Sequence, residues 1–134
     1  MDINARAAVR DLVSGEPVSV DEDMTLRSVA AVLGAKTIGV ALVRRAGRAP
    51  GIISERDVVK ALAEDADPDT IWSADVMTED LLAVDAGDRI IDVALGLVDQ
   101  DVRHAVVFDG DRLLGVVSVR DLLRVVATEL AASW

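Results

Sequence analysis

Apolar residues along this chain come in two spacings that alternate in a fixed order. Short β-branched runs read as strands: Val18-Ser19-Val20, Ile38 to Val43 and Gly51 to Ile53. Runs at 3.6-residue spacing read as helices. Leu26, Val29, Ala30 and Leu33 form one stripe, capped by Thr25 or Asp23 and predicted to end near Gly34; a second helix follows from about Arg56 to Ala63. Arg44 to Pro50 is rich in turn formers and joins the second and third strands as a hairpin. Ahead of all this, residues 4–13 place Ala5, Ala8, Val9 and Leu12 on one side of a predicted lead-in helix.

The same order then starts again. Strands are predicted at Leu82 to Val84, Val102 to Phe108 and Leu113 to Val117, with Asp109-Gly110-Asp111 as the hairpin turn, and helices at about Ile90 to Leu97 and Arg120 to Leu130. A constant offset of 64 residues superimposes the halves without a gap: Gly51-Ile52-Ile53-Ser54-Glu55-Arg56-Asp57 falls on Gly115-Val116-Val117-Ser118-Val119-Arg120-Asp121. Ala41-Leu42-Val43 falls on Ala105-Val106-Val107, and Trp72 and Val76 match residues 8 and 12. The chain is therefore two copies of one strand-helix-strand-strand-helix unit, divided at residues 1–66 and 67–134, with Ala66-Asp67-Pro68-Asp69 as the turn between them.

Composition narrows the class of protein. A chain of 134 residues buries roughly two-thirds of its unfolded surface, enough for a core without staples. Apolar residues make up 51% and aromatics 2%, so that core is aliphatic, and Trp72 and Trp134 are expected to be packing residues. The absence of Cys removes disulfides and thiolate chemistry. A formal charge of −10 disfavours nucleic acid and anionic membranes as partners. No apolar run reaches the roughly 18 residues needed to span a bilayer, and Met1-Asp2-Ile3-Asn4 is no signal peptide, so a soluble cytoplasmic protein is expected.

The chemistry worth attention lies where each copy's last strand turns into its last helix. A helix N-terminus offers unpaired N–H groups and partial positive charge, which suits phosphate, and Ser54 and Ser118 sit at that position. Asp57 and Asp121 are acceptors only, which suits the two hydroxyls of a ribose. Ser-x-x-Asp is equally a capping box, a local device for starting a helix. Arg56 and Arg120 fit either bidentate phosphate contact or exposed ion pairs. Gly51 and Gly115 leave room for backbone or ligand to approach. Arg44, Arg45 and Arg48 either decorate a solvated hairpin or draw polyphosphate toward the first cleft. His104 has no Cys and no second His to make a metal site with; with Arg103 it precedes the second central strand where the first copy has Gly39-Val40, so two clefts would differ in size and charge.

These residues resemble a known family. Gly-hydrophobic-x-Ser-x-Arg-Asp closing each copy, and Val102-Arg103-His104-Ala105-Val106-Val107 before the second, look like a tandem pair of CBS domains, a Bateman module, from about Asp11 to Leu130. The resemblance implies an α/β (α+β) fold: two β-α-β-β-α repeats about a pseudo-two-fold axis, sheets packed together and helices outside. It also implies a homodimer forming a four-repeat disk. Clefts between repeats would bind AMP, ADP or ATP, and sometimes S-adenosylmethionine, with no cofactor required. Carried over by position, Ser54 and Ser118 contact phosphate, and Asp57 and Asp121 hold ribose. Val18, Val20, Gly39 and Val40 in one copy, and Leu82, Val84, His104 and Ala105 in the other, surround adenine largely through main-chain groups. The chain departs from the family at Ala105-Val106, where many relatives have a Pro, and at the Arg-rich first hairpin.

Three function classes follow. The first is a regulatory module that senses adenosine nucleotides and signals to a separate protein effector, since the residues left over at the termini cannot house a catalytic domain. The second is a structural dimerisation module whose aliphatic helices, Val58 to Leu62 and Leu122 to Val126, bury against another subunit. An enzyme is disfavoured: without Cys or Tyr and with one His, the common nucleophile and base pairings are missing.

Overall fold

The computed structural model describes residues 3–13 and 16–132, so Trp134 lies outside the described residues. The chain divides into two compact units, one spanning Pro17–Glu79 and one combining the residues up to Glu16 with those from Asp80 onward. The repeats and the compact units are thus cut differently. Each unit takes its lead-in segment from the other half of the sequence.

The first unit runs β1 (Ser19–Asp21), α1 (Leu26–Lys36), β2 (Val40–Arg44), β3 (Gly51–Ser54), α2 (Glu55–Ala63) and a short α3 (Ser73–Val76). Its sheet has the order β1-β2-β3, with β1 parallel to β2 and β3 antiparallel to it. Parallel pairing needs a crossover, which α1 supplies, whereas the β2–β3 connection is a hairpin. Val20, Leu26, Val29, Leu33, Ala41, Val43, Ile53, Val58 and Ala61 form one buried cluster. Burying each larger side chain contributes about 1.5–3 kcal/mol relative to leaving it in water.

The second unit repeats this with β4 (Leu82–Asp85), α4 (Ile90–Gln100), β5 (His104–Asp109), β6 (Arg112–Ser118) and α5 (Val119–Ala132), in the sheet order β4-β5-β6. Its core joins Val9 to Ile90, Val93, Leu97, Ala105, Val107, Val117 and Leu122. The mixed α and β content and the strand-helix-strand-strand-helix order agree with the sequence reading.

The lead-in at residues 4–13 does not. Only Val9–Leu12 coil, as a single 3-10 turn. The preceding residues run alongside the start of α4, whose Ile90 and Ile91 N–H groups donate to Ala7 and Ala5 carbonyls at 2.9 and 2.8 Å. Ahead of Val9 the described backbone makes one local turn, Ala7 N–H to Asn4 O at 3.0 Å, and turns its Ala5 and Ala7 carbonyls to α4. The first unit has the same arrangement: Leu26 and Arg27 N–H donate to Ile71 and Pro68 carbonyls, both at 2.9 Å. Thr25 adds the expected side-chain cap, accepting from Ser28 N–H at 3.3 Å.

Two further expectations are corrected. α1 passes through Gly34 and ends at Lys36, because Thr37 adopts the left-handed region at φ 54° and Ile38 N–H closes back on Leu33 O at 3.1 Å. Asp101 does the same at the end of α4, at φ 55°. Trp72 is 52% exposed rather than packed, its backbone pairing with Thr25 while its indole stays outside the core.

Gly51 and Gly115 have a common reason. A Cβ on Gly51 would meet Met77 Sδ at 2.8 Å and Thr78 O at 3.2 Å; one on Gly115 would meet Val13 Cγ1 at 2.7 Å. Of the two approaches considered from sequence, the neighbour found there is the chain's own lead-in. Gly115→Ala should therefore lower stability by about 1–3 kcal/mol, since a β-branched neighbour cannot swing aside. Chemical denaturation should show Val13→Ala recovering part of that loss in the double variant.

Arg27 pairs with Asp69 at 2.5 Å, tying α1 to its lead-in, and the hydrogen bond from Arg27 holds the Asp69 carboxyl below the usual carboxylate range. A depressed folded-state pKa gives stability that is present above the unfolded value and lost as pH falls through the folded one. Asp69→Asn should accordingly make the acid limb of a stability–pH curve slightly shallower, the effect staying small because both groups are exposed.

Candidate functional site

In each unit, the end of the sheet where the first two strands begin and the third finishes gathers the residues singled out from sequence. Val40 pairs with Ser54 across β2 and β3, and His104 with Ser118 across β5 and β6. Val18 and Leu82 enter at this same end, their strands running parallel to β2 and β5. Val18, Val40, Leu82, Val84 and His104 are half-buried and Gly39 is exposed. Val20 and Ala105 instead place their side chains in the cores, at 1% and 0% exposure, leaving only main-chain groups to offer.

The helix starts themselves are capping boxes. Ser54 N–H donates to Asp57 Oδ2 at 2.8 Å, and Asp57 N–H donates to Ser54 Oγ at 3.1 Å. In the other copy Ser118 N–H donates to Asp121 Oδ2 at 3.0 Å, and Asp121 N–H donates to Ser118 Oγ at 3.1 Å. A third donor is also taken, because Glu55 N–H reaches Gly39 O at 2.9 Å and Val119 N–H reaches Arg103 O at 2.8 Å. The local capping reading is thus realised twice. It does not exhaust the groups involved. A carboxylate has roughly four lone-pair sites; the Ser54 hydroxyl, besides accepting from Asp57 N–H, gives its proton to Asp57 Oδ2 at 3.0 Å.

One residue at the first site was not singled out from sequence. Thr78 pairs its backbone with Ile52, donating at 2.7 Å and accepting at 3.0 Å, and its hydroxyl then donates to Asp57 Oδ1 at 3.3 Å. The repeat offset contained the signal: the matching position is Ser14, another hydroxyl, which lies outside the described residues.

The arginines separate into two groups. Arg44 pairs with Asp21 at 3.0 Å, while Arg45, only 8% exposed, pairs with Glu79 and donates to Ala49 O at 2.7 Å. Arg48 stands 4.0 Å from Glu79. These three cations are matched by acids of their own unit, as a hairpin fastened to its lead-in would be. Arg56 and Arg120 are exposed and take part in no ion pair among the described residues. A separate open groove of about 560 Å³, lined by Asn4, Arg124, Val125, Thr128 and Glu129 among others, shares no residue with either helix start.

Two three-stranded units, each with a serine-capped helix leaving its last strand, define a tandem pair of like repeats. The CBS-domain family profile matches residues 9–64 and again 73–128, and the chain belongs to this family. Among its relatives, a protein of Methanopyrus kandleri is 27% identical over 120 residues, 88% of this chain and 59% of that one. Hypoxic response protein 1 of Mycobacterium tuberculosis is 28% identical over 117 residues, covering 86% of this chain and 82% of that protein. The chain spans 59%, 44% and 27% of the length of the longer curated relatives it matches. Among solved structures, a CBS domain protein of Pyrobaculum aerophilum complexed with AMP superimposes with a TM-score of 0.74 at 30% identity, covering 93% of this chain and 98% of that one.

The two caps give a direct test of their structural share. Ser54→Ala and Ser118→Ala should each lower stability by about 1 kcal/mol in thermal denaturation, the usual cost of an N-cap serine. Asp57→Asn and Asp121→Asn, which keep an acceptor for the serine N–H, should cost less than the corresponding alanines.

Proposed function

We propose that this chain is a regulatory module that binds an adenosine nucleotide at its strand-to-helix mouths and passes the occupancy to a separate protein. The observation that carries the reading is the double occurrence, in register, of a serine hydroxyl, an arginine in no ion pair among the described residues and a ribose-compatible carboxylate at one sheet end. The relative solved with AMP supports the choice of ligand class. On this reading the serine proton, which Ser54 gives to Asp57 Oδ2, turns instead toward a phosphate oxygen, the arginine adds a charged donor, and the aspartate accepts ribose hydroxyls through lone pairs the cap leaves unused. No catalytic constellation is needed for such a role: a ligand that binds one conformation better than another shifts the population by its differential affinity.

Assembly enters through the helices. Val59 and Leu62 on α2, Leu95 and Val98 on α4, and Leu123 and Leu130 on α5 are all exposed, Val98 at 72%. Large side chains left outside in this number favour burial against a second copy, and a homodimer is the arrangement we infer. These same residues are the specific support for the second reading, a dimerisation module that binds nothing. Among the described residues no helix is long and apolar enough to cross a membrane, and with no cysteine in the sequence a reducing cytoplasmic setting fits.

Isothermal titration of the full chain with AMP, ADP, ATP and S-adenosylmethionine should find at least one ligand with Kd tighter than about 1 mM. That ligand should raise stability by about 2.7 kcal/mol at a hundredfold excess over Kd. Asp57→Asn and Asp121→Asn together should weaken binding beyond any change in melting temperature. Size-exclusion with and without the ligand separates the readings: a purely structural module elutes identically and binds none of the four.

A further inference from the structure

The two mouths are built alike but charged oppositely. In the first unit the residue that opens α2 is Glu55, and its Oε1 lies 3.9 Å from where a Cβ on Gly39 would stand, so a carboxylate covers the glycine at the entry. The first turn of α2 therefore holds two acids, Glu55 and Asp57. In the second unit the residue that opens α5 is Val119, the first turn holds only Asp121, and the position of Gly39 is taken by Arg103. The equivalence rests on backbone geometry as well as on sequence offset: Glu55 N–H bonds Gly39 O as Val119 N–H bonds Arg103 O. Counting the matched positions, the first mouth sets Glu55 and Asp57 against Arg56, a formal −1. The second sets Arg103 and Arg120 against Asp121, a formal +1. Among the described residues neither Arg103 nor Arg120 is committed to an ion pair.

We infer that Glu55 excludes phosphate-bearing ligands from the first mouth, so that a nucleoside polyphosphate loads at the second, held by Arg103 and Arg120, while the first admits only the uncharged nucleoside portion. This rests on the nucleotide-binding reading above and adds to it which copy takes which chemical class. A carboxylate at the first residue of a helix already occupies the position where the helix end would favour an anion, and a phosphate entering there meets like charge. An exposed arginine at the matching place does the reverse, and its planar donors suit phosphate oxygens.

The experiment is calorimetric titration of the full chain with ATP and, separately, with adenosine. The wild type should bind one ATP per chain. Glu55→Gln should introduce a second ATP or tighten a weak one by about tenfold, as loss of a unit charge near the phosphates implies, with adenosine affinity unchanged. Arg103→Gly, at an exposed position, should weaken the ATP already bound by about tenfold and leave adenosine unaffected. Two equivalent ATP sites in the wild type, or ATP binding indifferent to both substitutions, would overturn the assignment while leaving nucleotide binding intact. If neither ATP nor adenosine binds the wild type while AMP, ADP or S-adenosylmethionine does, the assignment falls and the underlying reading stands; if none of the five binds, both fail.

Discussion

The backbone donors at the start of α1 and α4 depend on carbonyls far away in sequence. Leu26 and Arg27 are satisfied by Ile71 and Pro68, and Ile90 and Ile91 by Ala7 and Ala5. A helix start buried without partners for its N–H groups is strongly disfavoured, so these bonds fix where each lead-in must run. The rest of each unit follows. Once residues 3–13 lie along α4, Val9 enters the core of the second unit and Val13 comes to rest over Gly115; once residues 67–78 lie along α1, Met77 covers Gly51 and Thr78 joins the edge of β3.

The candidate site inherits its shape from the same constraint. Thr78 reaches the Asp57 carboxylate only because its backbone is hydrogen-bonded to Ile52, and Gly51 is glycine because the lead-in passes within contact of it. The motif therefore serves two purposes at once. Its glycine and its serine–aspartate pair hold the unit together, while its arginine makes no ion pair among the described residues. A motif read as ligand-binding and a motif read as capping need not be rivals, because a carboxylate has more bonding capacity than one cap consumes and a hydroxyl proton can rotate from one acceptor to another.

Much of this was legible beforehand, and the reasons are physical. Period-two and period-3.6 spacing located the five main elements of each copy, since an aliphatic core requires one apolar face per element. The exact repeat offset revealed the duplication. The lead-in was misjudged because Ala5, Ala8, Val9 and Leu12 fit a helical stripe, while the carbonyls of Ala5 and Ala7 were claimed by α4. The end of α1 was misplaced because glycine is the ordinary left-handed residue, yet Thr37 takes that role. Sequence leaves Arg44, Arg45 and Arg48 either decorating a solvated hairpin or drawing polyphosphate, because the fold alone brings Asp21 and Glu79 beside them.

What the sequence determined by itself was everything encoded over short spans or by its own periodicity: the two copies, the order of strands and helices, the serine-started helices, and the differing residues at matched positions. Tertiary structure alone decided which lead-in completes which unit, which cations are matched, and that Glu55 lies over Gly39. Those outcomes depend on hydrogen bonds and contacts between residues separated by tens of positions, and no local pattern specifies which distant carbonyl or carboxylate will be the one that arrives.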